Sequence, residues 1–105
     1  MKLLETVEQF NNLKNNEQVI MIFTADWCPD CRVIEPELPE IEAEFSEYTF
    51  VEVNRDQFIA LCQEYDIFGI PSFLAFRDGQ EAGRFVSKDR KTREEIEQFI
   101  QGLSN

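Results

Sequence analysis

Histidine is absent from this 105-residue chain, and tryptophan occurs once, as Trp27. Three cysteines without a histidine fall short of the four Cys or His ligands that structural zinc takes, so no metal site is expected. Basic residues are scarce: 10 lysines and arginines face 21 aspartates and glutamates, a formal net charge of −11. Phosphates would be repelled, which argues against nucleic acid and against an anionic membrane as partner. No run of about 18 apolar residues occurs, so no membrane span is expected. Met1-Lys2-Leu3-Leu4-Glu5 lacks the apolar stretch of a signal peptide. Few cysteines and no secretion signal fit a reducing compartment, and the expected location is cytoplasmic. Repeats, low-complexity stretches and dividing linkers are missing too. Residues 1–105 are therefore expected to form one domain and a soluble monomer.

What is present is 43% hydrophobic residues, enough for a packed core and against disorder. Thr6-Val7-Glu8-Gln9 has the spacing of a capping box and predicts a helix over 6–14. Val19-Ile20-Met21-Ile22-Phe23-Thr24 predicts a strand covered on both faces. A long helix is predicted over 29–46, with Ile34, Leu38, Ile41 and Phe45 on its apolar side, glutamates elsewhere, and a kink from Pro36 and Pro39. Residues 48–54 read as a second buried strand. Residues 56–65 read as a helix with Phe58, Leu61, Cys62 and Tyr65 on one face. Strands over 72–77 and 81–86 flank the turn Asp78-Gly79. A last helix opens at Thr92, with Glu95 completing a capping box, and buries Ile96, Phe99, Ile100 and Leu103. A short strand near Leu3 completes the set. The order points to parallel strands first and a closing antiparallel hairpin.

The chemistry concentrates at Trp27-Cys28-Pro29-Asp30-Cys31, directly after the most apolar strand. Two thiols then emerge where a strand gives way to a helix, whose free N–H groups and dipole favour an anion such as a thiolate. Residues three apart on a helix are neighbours within disulfide range, so the pair can cycle between dithiol and disulfide. As a purely structural bond it would close only a four-residue loop and stabilise little. Cys62, on an otherwise apolar helical face, reads as a small core hydrophobe.

With Phe23-Thr24-Ala25-Asp26-Trp27-Cys28-Pro29-Asp30-Cys31, Pro36, Val53-Asn54-Arg55-Asp56 and Gly69-Ile70-Pro71-Ser72, the chain resembles the thioredoxin family over about residues 3–103. The resemblance implies an α/β thioredoxin fold, a central mixed β-sheet of four or five strands flanked by four helices. It implies Cys28 as the attacking and Cys31 as the resolving cysteine, and a cis Ile70-Pro71 peptide against them. Trp27, Pro29, Ile70 and Pro71 would form the substrate-binding surface, with Trp27 partly exposed and Ile70 offering backbone hydrogen bonds to an extended segment. The partners implied are disulfide-containing protein substrates and, as electron source, a thioredoxin reductase using NADPH. No cofactor is expected on this chain itself.

This chain departs from the family's pattern at several positions. Pro29-Asp30 stands where glycine-proline is commonest, a pair like that of a smaller branch of thioredoxin-related cytosolic proteins. Ile22 occupies the place of a usual buried aspartate, Glu52 that of a usual lysine, and Thr24 that of a frequent tryptophan or tyrosine. Val86-Ser87-Lys88 lacks the glycine often found at the substrate groove. Asp30, expected to point to water, would repel a thiolate at Cys28 and make it less acidic than in glycine-proline relatives. Glu52, in the apolar run Phe50-Val51-Glu52-Val53, is a candidate proton acceptor for Cys31 in place of the missing aspartate, or else a strand-end glutamate reaching solvent. Two other functions stay open: a glutathione-dependent, glutaredoxin-like enzyme, and a thioredoxin-fold binding module with little redox turnover.

Overall fold

Alternation along the strands divides the core in two. In a computed structural model describing residues 1–16 and 18–103, strand β2 (Val19–Thr24) sends Val19, Met21 and Phe23 to one face of a sheet and Ile20 and Ile22 to the other. All five are fully buried, which explains why this stretch reads as a continuous apolar run rather than an alternating one. The sheet has five strands in the order β1-β3-β2-β4-β5, with β1 (Lys2–Leu3), β3 (Thr49–Asn54), β4 (Ser72–Arg77) and β5 (Gln80–Phe85). β1, β3 and β2 run parallel, and β4 and β5 are antiparallel additions.

Helices α1 (Val7–Asn16) and α4 (Ile59–Glu64) cover one face, where Phe10, Leu13, Leu61 and Cys62 meet Met21, Phe23 and Phe76. Helices α2 (Pro29–Ile34), α3 (Leu38–Glu44) and α5 (Arg93–Gly102) cover the other, packing Ile34, Ile41, Ile96 and Ile100 on Ile20, Ile22 and Phe73. Phe99 is only half-buried, tilted against Phe73 and Phe85 near the sheet edge.

The single kinked helix predicted over 29–46 is instead α2, a 3₁₀ turn at Glu35–Glu37, and α3. Pro36 falls within the 3₁₀ turn and Pro39 in the first turn of α3, where a missing N–H breaks no helical bond. The apolar side survives the break, with Ile34, Leu38, Ile41 and Phe45 all buried. Helix α4 starts three residues later than predicted because the Asn54 side chain accepts the backbone N–H groups of Asp56 and Gln57, at 2.9 and 3.1 Å. At α1, Thr6 caps Gln9 as expected, but the Gln9 side chain accepts from Glu5 N rather than Thr6 N. The Thr92/Glu95 capping box of α5 is complete. Asp78 and Gly79 both have positive φ, 55° and 82°, the conformation that a two-residue hairpin loop needs.

Candidate active site

Cys28 leaves the C-terminal end of β2 and becomes the N-cap of α2, with extended backbone at φ −87° and ψ 109°. Its sulfur occupies the place of a capping oxygen and accepts the Cys31 N–H at 3.2 Å. Pro29, at the first helical position, has no N–H to satisfy. The two cysteines form a disulfide with Cα atoms 5.3 Å apart. Both are only 4% exposed, and Ile70 packs against them together with Ala25. The Ile70-Pro71 peptide is cis, as the resemblance implies. Ile70 O lies 3.8 Å from Cys28 Sγ.

The predicted substrate-binding residues converge on one cleft of about 300 Å³, lined by Trp27, Cys28, Pro29 and Ile70 among others. Pro71 sits behind it, buried. Trp27 is 60% exposed, its Nε1 donating to Asp56 Oδ2 at 2.7 Å and the Arg55 guanidinium lying 5.8 Å from its ring centre. These two contacts fix the ring outward beside Cys28.

Three further contributors lie outside the predicted substrate-binding set. Phe68, 62% exposed, supplies an apolar wall to the cleft, and Lys88 a basic one. Gly69 lets the backbone of 87–88 approach, since a Cβ there would collide with the Ser87 carbonyl oxygen. A glycine before Ile-Pro was the available signal, but its partner lies on a distant loop.

Asp30 does not point free into water. Its Oδ1 accepts from Arg90 Nε at 3.0 Å, which offsets the repulsion expected of it at Cys28.

On the inner side, Cys31 lines a separate cavity of about 140 Å³ that also includes Thr24, Asp26, Glu35 and Glu52. Glu52 stands directly opposite Ile22 in the β2–β3 register. It is half-buried, and Thr24 Oγ1 donates to its Oε1 at 3.1 Å. The candidate proton acceptor and the inner sulfur thus share one space, with Asp26 and Glu35 as further carboxylates on its wall. Cys62 is buried and unbonded, and burial pushes its thiol pKa up. Among the described residues no cluster of three His, Cys, Asp or Glu side chains is poised to hold a metal ion, and no helix is long and apolar enough to cross a membrane.

Comparison with known proteins agrees with this geometry. The Thioredoxin family model matches residues 2–102. A thioredoxin H-type of Fagopyrum esculentum is 38% identical over 80 residues, covering 75% of this chain and 69% of its own length. A thioredoxin of Chlamydia caviae is 35% identical over 86 residues, covering 81% and 84%. Among solved structures, thioredoxin from Trypanosoma brucei brucei superposes with a TM-score of 0.85 at 24% identity, over 97% of this chain and 88% of that one. Matched along nearly its whole length, with two bonded sulfurs where β2 passes into α2, the chain belongs to the thioredoxin family.

Proposed function

We propose that this thiol–disulfide oxidoreductase reduces disulfides in protein substrates, Cys28 attacking and Cys31 resolving. The observation that carries the reading is the bonded pair, whose Cys28 lines a cleft walled by exposed Trp27 and Phe68. In the reduced protein the Cys28 thiolate attacks one sulfur of the substrate. A Cys28–substrate bond forms, the substrate disulfide breaks, and the departing sulfur takes up a proton. Cys31 then gives its proton to an acceptor and attacks Cys28 Sγ. The Cys28–Cys31 disulfide forms, the second substrate thiol leaves, and two electrons have passed to the substrate. We assign the acceptor role to Glu52, which shares the cavity with Cys31 and is oriented by Thr24. The carrying cleft is apolar on two sides, which suits an extended polypeptide segment along Ile70.

Return to the dithiol needs a reductant. We propose thioredoxin reductase drawing on NADPH, with the cofactor on that enzyme, and the cytoplasm as the compartment. Within the family we place the chain in the branch with Pro-Asp between the cysteines, acting as a monomer. The glutathione-dependent and redox-inert alternatives gain no comparable support.

Insulin reduction driven by dithiothreitol tests this reading. Cys28→Ser is expected to abolish catalysis, and Cys31→Ser to stop turnover after a single attack. Retention of catalysis by Cys28→Ser would refute it.

A further inference from the structure

Charge at the mouth of the cleft is arranged by a residue outside the two-cysteine motif. Asp30 stands between the cysteines, and its partner Arg90 lies sixty positions along the chain. The pair is partly exposed, 31% for the Asp30 side chain and 64% for Arg90, so it contributes little to stability. Its place matters more than its strength, because Asp30 lines the same cleft as Cys28.

The loop that presents Arg90 is held firmly. The next residue, Lys91, is 1% exposed and donates to Ser87 O, Ser87 Oγ and Asp89 O at 3.3, 3.0 and 3.1 Å. Its ammonium also lies 5.2 Å from the Phe85 ring centre. Burial pulls its pKa below the ordinary lysine value, opposed by the charges of Asp89, Glu95 and Asp30. Thr92 then begins the capping box of α5, and Ser87 is pressed against Gly69. The Arg90 backbone is thus fixed before its side chain reaches across to α2, so that only side-chain freedom is lost when the pair forms.

We propose that Arg90 is a positioning residue for the redox reaction: by holding the Asp30 carboxylate it keeps that charge from opposing a thiolate at Cys28. The inference rests on Cys28 being the attacking sulfur. The other charged groups around the pair are Asp89 and Lys91 on either side of Arg90, Arg55 and Lys88 in the cleft, Asp56 beyond Trp27, and Asp26, Arg32, Glu35 and Glu52 around the Cys31 cavity. Among the described residues lining the cleft, Asp30 is the one carboxylate, and Arg90 is bonded to it.

The test is peptide-resolved alkylation of the reduced full chain by iodoacetamide across pH, at low and high salt. Arg90→Gln is expected to slow Cys28 labelling at pH near 6 by about threefold at low salt, and by less at high salt. Arg90→Lys, which keeps the charge, is expected to recover most of that loss. Asp30→Asn is expected to speed labelling, and adding Arg90→Gln to it is expected to change the rate by less than about 1.5-fold. An unchanged rate in Arg90→Gln, or an equal drop with and without Asp30, would overturn the proposal. Labelling of Cys31 ahead of Cys28 would instead remove its premise, and the labelled peptide tells the two failures apart. Thermal midpoints of these variants are expected to stay together, since both side chains lie at the surface.

Discussion

Cys28 and Cys31 are equally buried, yet they open onto different spaces. Cys28 faces a cleft of about 300 Å³ with exposed aromatic walls and basic residues at its rim. Cys31 faces a cavity of about 140 Å³ with three carboxylates and the Thr24 hydroxyl around it. Exposure of the sulfurs alone would not separate their roles. The surroundings differ, and the proposed roles follow that difference: the cleft would receive a polypeptide and the carboxylate-lined cavity would accept a proton. The strand-to-helix passage places Cys28 at the N-cap, beside the loops that wall the cleft, and Cys31 one turn into α2, beside the β2–β3 end where Thr24 and Glu52 lie.

Glu52→Gln should have the largest effect and should fall on one side only. Resolution of a preformed Cys28 mixed disulfide is expected to slow by about 10²-fold near neutral pH, with alkylation of Cys28 little changed. Stopped-flow resolution rates across pH check this, and equal slowing of both steps would erase the contrast. Gly69→Ala attacks the other side. The added methyl collides with the Ser87 carbonyl, so the cleft is expected to distort and stability to fall by about 1–3 kcal/mol. A drop in kcat/KM of about tenfold for insulin, with resolution within twofold of the parent, would sharpen the comparison. Cys62→Ala should matter least. Cys62 packs with Phe58, Leu61 and Ile67 in the core, away from both sulfurs' reaction path, and burial raises its thiol pKa, which slows its alkylation. Turnover is expected to stay within about twofold, at a cost in stability of about 1 kcal/mol measured by urea unfolding.

The part of this arrangement that is local was readable from residue order. Val19–Thr24 and Ser72–Arg77 form strands with the bounds their composition predicts, because burial keeps their inner positions apolar and polar residues mark their ends. Asp78-Gly79 fixed the hairpin to within one residue, since few side chains tolerate two successive positive φ values. The second buried strand carrying Glu52 was readable too, whereas its register, which sets Glu52 opposite Ile22, came from the structure. Local competition was harder to foresee. The Asn54 side chain captures two N–H groups and delays α4, a contest between side chain and helix that apolar spacing does not reveal. The Asp30–Arg90 pair was out of reach altogether. Arg90 sits in a stretch of charged residues that reads as an ordinary solvated loop, and only the buried anchor at Lys91 aims it at the cleft. Trp27 differs: composition alone would bury it, the resemblance implies its exposure, and Asp56 and Arg55 hold it outward.

The division of roles between the two sulfurs is tested most directly by acid-quenching the wild-type protein during insulin reduction and mapping the mixed disulfide by mass spectrometry. The substrate is expected on Cys28, with Cys31 free. Substrate bonded to Cys31 would contradict the assignment of cleft and cavity made from their geometry.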